Sequence, residues 1–134
     1  MAVNRIDHVG IAVEDVDAAQ ALYERLFGAT FVGRDTLPDT EVLMLAAGDT
    51  QIELVAPRGP ESPVGKFLAS RGPGMHHVAF EVADVAAELQ RLAAEGAELV
   101  DEEPRVGAFG HTVAFVHPRS LGGVMAELVA HGHE

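Results

Sequence analysis

Two histidines and two glutamates recur at matching positions in the two halves of the sequence. His8 lies in "DHVGIAVEDV" and His77 in "HHVAFEVADV". Glu53 lies in "TQIELVAP" and Glu127 in "VMAELVAH". Imidazole nitrogens and carboxylate oxygens bind divalent metal ions, and a carboxylate beside a metal can also move a proton. The pattern therefore predicts a site in which all four side chains bind one divalent ion.

The two glutamates are unusual because their neighbours in each strand look like core residues. A buried charge is costly unless something compensates it, and a divalent ion would neutralise both carboxylates. A single strand histidine is usually a hydrogen-bonded core residue, and a single strand glutamate usually faces solvent. The repetition of both types favours the metal site. Two histidines and two glutamates leave about two positions open on an octahedral ion, which suits substrate binding rather than a closed structural site.

These residues belong to a repeated module, since "DHVGIAVEDVDAAQALYERLFGATFV" aligns with "HHVAFEVADVAAELQRLAAEGAELV". Each copy begins with an alternating apolar strand. A helix follows, with Asp15 or Asp84 as its N-cap and Gly28 or Gly96 at its end. Three further strands are predicted in each half. The fold class is therefore α+β, with two βαβββ modules related by pseudo-twofold symmetry.

The 134 residues predict a single domain. Its first module covers about residues 4–57, a linker covers 58–73, and the second module covers about 74–131. A short helix is expected within the linker at residues 62–70. The later strands are predicted at "TFVGRD", "EVLMLAA" and "TQIELVA" in the first module, and at "AELVDEE", "HTVAFVH" and "GVMAELVA" in the second.

Composition and charge exclude several classes of partner. A formal net charge of −12 repels phosphate backbones and anionic lipid heads, so neither nucleic acid nor a membrane is an expected partner. The sequence contains no cysteine, which rules out disulfides and thiolate ligands. No signal peptide or membrane-spanning apolar run is visible, and a cytoplasmic protein is expected.

Several stretches resemble the methylmalonyl-CoA epimerase family of the vicinal oxygen chelate (glyoxalase/bleomycin resistance/dioxygenase) superfamily. They are "IDHVGIAVED", "GDTQIELVAP" with "SPVGKFL", "GMHHVAFEV", "DEEPRVGAFGH" and "VAFVHPRSLGGVMAELV". The resemblance implies an incomplete barrel around a metal, and it places the metal ligands on His8, Glu53, His77 and Glu127. It further implies epimerisation of (2R)- and (2S)-methylmalonyl-CoA through an enolate, an acyl-CoA substrate and a homodimer. The donor set accepts Co, Mn, Ni, Zn or Fe, and the site could close within one chain or across a dimer.

Glu127 is the predicted acid/base group at the metal, with water serving the other face of the substrate carbon. Some family members carry a glutamate on the strand before "GDT", where this chain has Val42. The neighbouring Glu41 is a possible substitute. If Gly48 and Asp49 form a two-residue turn, Glu41 points away from the metal, whereas a one-residue slip of the register would reverse this.

Substrate contacts are predicted for a glycine-rich loop and for three basic residues. The loop could offer backbone donors to a carboxylate, although it also reads as a plain turn. The basic residues could meet coenzyme A phosphates or the substrate carboxylate, although each also reads as a solvated surface charge. The set comprises Gly107, Ala108, Phe109, Gly110, His111, Lys66, Arg105 and Arg119.

The remaining histidines are not predicted ligands. By strand parity His76 points away from the side of His77 and is expected to be structural. His117 falls in a turn. His131 and His133 fall in a C-terminal tail that is expected to fray.

Three other functions fit parts of the pattern. Glyoxalase I uses the same His, Glu, His, Glu set, but "HPRSLGGV" stands where glyoxalases tend to have a turn such as "DPDG", which favours the epimerase. An extradiol dioxygenase uses two histidines and one carboxylate on iron, so Glu53 as a fourth ligand argues against it. A binding protein of this superfamily that works without metal would not need the paired residues.

Overall fold

The structure is a computed structural model that describes residues 3–132. Its elements confirm the predicted α+β class with two βαβββ modules. The strands are β1 Val3–Ala12, β2 Thr30–Thr36, β3 Thr40–Ala47, β4 Thr50–Pro57, β5 Gly74–Val82, β6 Arg105–Val106, β7 Thr112–Val116 and β8 Met125–Ala130. The helices are α1 Val16–Phe27, α2 Pro63–Arg71 and α3 Val85–Ala94, and short 3-10 turns lie at Ala108–Gly110 and Pro118–Leu121.

The chain forms two compact units. Of the described residues, 8–76 make the first unit, and 3–7 together with 77–132 make the second. In the first unit the strand order is β2-β3-β4-β1, with β1 parallel to β4 and the other pairs antiparallel. In the second unit the order is β5-β8-β7-β6, with β5 parallel to β8. Each module therefore pairs its first strand with its last.

The helix boundaries follow the predicted caps. The Asp15 carboxylate accepts the N–H groups of Asp17 and Ala18 at 2.9 and 3.3 Å, and α1 ends at Gly28 with φ 69°. The Asp84 carboxylate accepts the N–H of Ala87 at 3.0 Å and starts α3. The predicted linker helix is confirmed as α2. Among the described residues no helix is long and apolar enough to cross a membrane.

One face of each sheet is covered by a helix of its own module, because both helix and strands present apolar side chains there. In the first unit this core comprises Val16, Ala19, Ala29, Leu43, Leu45, Leu54 and Ala56. In the second unit it comprises Val82, Val85, Leu89, Ala114, Val116, Ala126 and Leu128. Strand alternation therefore leaves the opposite face of each sheet for His8 and Glu53, or for His77 and Glu127.

The strand predicted at "AELVDEE" is wrong. Residues 97–104 form no strand, although Leu99 makes an isolated bridge to Val116, and the edge strand β6 begins only at Arg105. The Asp101 carboxylate accepts the backbone N–H of Phe115 at 2.8 Å and thereby takes the place of a strand carbonyl. Pro104 follows soon after and has no N–H to give to a ladder.

Candidate functional site

The first His–Glu pair forms where β1 runs parallel to β4. Glu53 lies opposite Gly10 in the register, and His8 stands two residues before Gly10 on the same face. His8 Nε2 and Glu53 Oε1 are 3.6 Å apart. Both residues are buried, with exposed fractions of 4% and 6%. Glycine opposite Glu53 leaves the space beside the carboxylate without a side chain.

The second pair repeats this arrangement where β5 runs parallel to β8. Glu127 lies opposite Ala79, two residues after His77. His77 Nε2 and Glu127 Oε1 are 3.0 Å apart, and both residues are buried. The ring of Phe115 meets the His77 ring edge-on, with centroids 5.5 Å apart. The two pairs thus come from the same strand positions of their modules.

The donor set of each pair fits a divalent metal ion. A neutral imidazole and a carboxylate supply one nitrogen and at least one oxygen donor, which is the chemistry that first-row divalent ions accept. The side chains that could serve as ligands here are His8, Glu53, His77 and Glu127. A buried carboxylate next to a substrate carbon can also accept or return a proton, because it is held away from bulk water.

The register of β3 and β4 decides the position of Glu41. Ala47 pairs with Thr50 and Met44 with Glu53, so the two-residue turn is confirmed without a slip. Val42 and Met44 therefore share the face of Glu53, and Glu41 lies on the opposite face. The Glu41 carboxylate accepts hydrogen bonds from Arg34 Nε at 3.2 Å and from Thr36 Oγ1 at 3.0 Å. Glu41 is engaged in this surface network rather than placed beside Glu53.

The loop of residues 107–111 is a tight turn at the start of β7. Its ends are joined by a hydrogen bond from the Gly107 N–H to the His111 carbonyl at 2.8 Å. Phe109 has φ 60° and is the only described residue other than glycine in the left-handed region. A Cβ at Gly107 would come within 2.8 Å of the Val113 side chain, so this position requires glycine. The turn is therefore closely specified by its sequence.

The three basic candidates have different surroundings. Arg105 lies above the Phe115 ring, 5.4 Å from its centroid, and its Nε donates to Asp101 at 3.2 Å. Because Phe115 contacts His77, Arg105 lies on the side of the sheet that carries Glu127. Lys66 is exposed on α2 in the first unit.

Arg119 is held by a surface ion pair. Its Nε and Nη2 donate to the two carboxylate oxygens of Glu98 at 3.0 and 2.9 Å. This hydrogen bonding lowers the pKa of Glu98 and raises that of Arg119. Arg119 is accordingly not brought to the His–Glu pairs by any described contact.

Sequence reasoning missed one buried acid and its partner. Asp7 is 2% exposed, and its carboxylate contacts His131 Nε2 at 2.5 Å. His131 lies directly after β8 and is held there, whereas a frayed tail was expected; His133 falls outside the described residues. The ring of His131 packs against that of His111, with centroids 4.3 Å apart. Strand alternation could have predicted this position of His131, because Glu127, Val129 and His131 are spaced two residues apart and therefore share one face.

The same acid belongs to a second group that could in principle bind a metal, formed by Asp7, Glu81 and His131. Arg5 already lies between its carboxylates, with contacts of 3.5 Å to Asp7 and 2.9 Å to Glu81. A cation at that position disfavours a metal ion there.

The other histidines have structural surroundings. The His76 ring meets the Phe67 ring edge-on at 4.9 Å. His117 Nδ1 accepts the N–H of Arg119 at 3.0 Å and caps the 3-10 turn that follows.

Comparison with known proteins defines the class. Residues 7–115 match the model of the glyoxalase/bleomycin resistance protein/dioxygenase superfamily, and the chain belongs to this superfamily. It is 38% identical to the ethylmalonyl-CoA/methylmalonyl-CoA epimerase of Cereibacter sphaeroides over 94% of this chain and 97% of that protein.

Solved structures give the same result. The crystal structure of methylmalonyl-CoA epimerase from Mycobacterium tuberculosis is similar with a TM-score of 0.93 and 37% identity, over 98% of this chain and 91% of that one. A methylmalonyl-CoA epimerase in complex with methylmalonyl-CoA and ammonium is similar with a TM-score of 0.93 and 34% identity, over 96% and 95% of the two chains.

Proposed function

We propose that the chain is an enzyme that epimerises (2R)- and (2S)-methylmalonyl-CoA by moving the proton on C2. The observation that carries this proposal is the buried His–Glu pair that each module holds at equivalent strand positions. The similarity to methylmalonyl-CoA epimerases over nearly the whole chain supplies the substrate. Glyoxalase I would use the same four side chains, so the similarity to epimerases is what separates the two enzymes. A binding protein that works without metal would not need the pairs.

We propose that His8, Glu53, His77 and Glu127 together hold one divalent metal ion. Their nitrogen and oxygen donors suit Co, Mn, Ni, Zn or Fe. Such an ion, when bound, would stabilise the negative charge that develops on the substrate oxygens as the C2 proton leaves.

Glu127 is the proposed acid/base group of this chain. Its carboxylate would take the C2 proton on one face and return it there in the reverse direction. Inversion needs a second acid or base on the other face. The family resemblance places Val42 where some members carry a glutamate, and a valine cannot move a proton. Water is therefore the proposed second group, and Glu41 is not, because it lies on the wrong face of β3.

The loop of residues 107–111 and Arg105 are the proposed contacts with the substrate. The loop is closely specified, and Arg105 lies above Phe115 beside His77. Lys66 remains a proposed contact for a coenzyme A phosphate. Arg119 is a weaker candidate for such a contact, because it is already paired with Glu98. We also propose that the chain works as one domain, which its length favours, as a homodimer, which the family resemblance implies, and in the cytoplasm.

The experiment is proton exchange at C2 of methylmalonyl-CoA in deuterium oxide, followed by NMR. Protein stripped of metal is compared with protein reloaded with Co, Mn or Zn. Metal-dependent deuterium uptake with loss of stereochemical purity is expected. If no metal restores exchange, the epimerase proposal is wrong, and a glutathione hemithioacetal is then the substrate to test.

A further inference from the structure

We propose that His131, held by the buried Asp7, is a positioning residue that fixes His111 and the loop of residues 107–111 for substrate binding. The expected effect on substrate binding rests on the proposed function. The expected effect on the order of the loop rests only on contacts within the second unit.

The first step is the anchoring of His131. The Asp7 carboxylate is nearly inaccessible to water, and the Nε2 of His131 donates to it. A hydrogen bond to a buried carboxylate is stronger than one between neutral groups. It also fixes which ring nitrogen carries the proton and how the ring is turned. The His131 ring is thereby held in one orientation, although 37% of its side chain is exposed.

The second step is the contact with His111. The antiparallel register of β7 and β8 pairs Thr112 with Ala130, so the next position along places His111 opposite His131. The backbone pairing of β7 and β8 ends at Thr112 and Ala130, and beyond it the two imidazole rings contact each other. Their planes are tilted by 39° and their centroids are 4.3 Å apart. His131 therefore restricts the ring of the residue that closes the loop.

The third step connects His111 to the loop and to the proposed site. The His111 carbonyl accepts the Gly107 N–H, so a shift of His111 moves both ends of the turn. His131 directly follows β8 and by alternation lies on the side of Glu127 and Val129, and Val129 packs there with Val113 and Ala79. The rings of His111 and His131 thus lie at one end of the apolar surface formed by Ala79, Val113 and Val129, and Glu127 lies at its other end. This placement suits a role in holding the acyl-CoA rather than in moving the C2 proton.

The test is a double-mutant cycle of His131→Ala and His111→Ala in the metal-loaded enzyme. His131→Ala is expected to raise KM for methylmalonyl-CoA about tenfold while kcat changes less than about twofold. If His131 acts through His111, the double variant has the KM of His111→Ala alone. His131→Phe keeps a ring against His111 without the hydrogen bond to Asp7, and it should recover part of the loss. His117→Ala removes an imidazole elsewhere in the same unit and should leave KM unchanged.

A second measurement does not depend on activity. Amide hydrogen exchange of residues 107–112 in the substrate-free protein should become faster in His131→Ala and stay unchanged in His117→Ala. Metal titration of each variant checks that the His–Glu pairs are intact.

Several results would overturn the inference. The first is that His131→Ala leaves both KM and hydrogen exchange unchanged. The second is that the fold-changes in KM of the two single variants multiply in the double variant, which would mean that the residues act independently. The third is that His131→Ala lowers kcat and metal affinity at constant KM. If the wild-type protein shows no epimerase activity, the proposed function fails. The hydrogen-exchange comparison then decides alone whether His131 holds the loop.

Discussion

The two modules place their His–Glu pairs by the same rule but differ in what surrounds them. In both, a glutamate on the last strand lies opposite the second residue after the histidine on the first strand. In the first module the residue opposite Glu53 on β3 is Met44, whereas in the second module Phe115 lies opposite Glu127 and touches His77.

The connections differ more than the strands. A two-residue turn joins β3 to β4, whereas a 3-10 turn at Pro118–Leu121 joins β7 to β8. The edge strand β2 has seven residues, whereas β6 has two and is preceded by the irregular chain around Asp101. The comparison teaches that parallel pairing of the first and last strand is enough to form the His–Glu pair of each module. The proposed substrate contacts, the loop of residues 107–111 and Arg105, both lie in the second module.

The largest expected effect separates the two glutamates. If only Glu127 moves the proton, Glu127→Gln should lower the rate of C2 deuterium exchange about 1,000-fold, since a general acid/base contributes about 100- to 10,000-fold. Glu53→Gln should cost much less in kcat at saturating metal, because it removes a ligand charge only. The exchange rate under single-turnover conditions measures both. Equal losses in the two variants would assign the glutamates the same role.

Truncation of the residues opposite the glutamates should separate stability from metal affinity. Met44→Ala, at a position only 5% exposed, should lower the free energy of unfolding by about 3 kcal/mol through lost packing and a cavity. Phe115→Ala should cost less stability, because Phe115 is half-buried, but it should weaken metal binding about tenfold by releasing the His77 ring. Urea denaturation and metal titration test the two claims, and the reverse order of effects would contradict them.

A smaller effect is expected at the irregular edge of the second module. Asp101→Ala removes the acceptor of the Phe115 N–H and of Arg105 Nε, and it should cost about 1–2 kcal/mol of unfolding free energy. Glu102→Gln is the matched control, because Glu102 is exposed and makes no hydrogen bond or ion pair with any residue in 3–132. Urea denaturation of both variants measures the difference. Equal stability of the two would show that the carboxylate does not replace a strand there.

The smallest effect is expected from a surface ion pair in acid. The hydrogen bonds from Arg119 lower the pKa of the Glu98 carboxyl below its ordinary value. The folded state therefore binds this proton less readily than the unfolded state does. The stabilisation is present above the ordinary pKa of a glutamate and is lost as the pH falls through the lower folded pKa. Arg119→Gln should make the acid limb of the melting-temperature profile slightly less steep. A profile parallel to that of the wild type would show that the pair contributes nothing.

The sequence was sufficient for the module plan and for the His–Glu positions, because both follow from the repeat and from strand alternation. The register that places Glu41 away from Glu53 was also predictable once the Gly48–Asp49 turn was assumed. The irregular structure of residues 97–103 could not be predicted, since alternation alone cannot reveal that an aspartate side chain replaces a strand carbonyl. His131 was missed for a similar reason: position near a chain end predicts fraying, and only the distant Asp7 prevents it.

The contact between Asp7 and His131 joins residues 124 positions apart, so it has a consequence for synthesis on the ribosome. Residues 8–76 are complete early and can begin to fold while the rest of the chain is being made. The first residues of β1 must instead wait until His131 has been synthesised, which takes about 7–26 seconds at about 5–20 residues per second. The second unit therefore forms after the first, and the proposed substrate loop cannot be set before His131 has been synthesised.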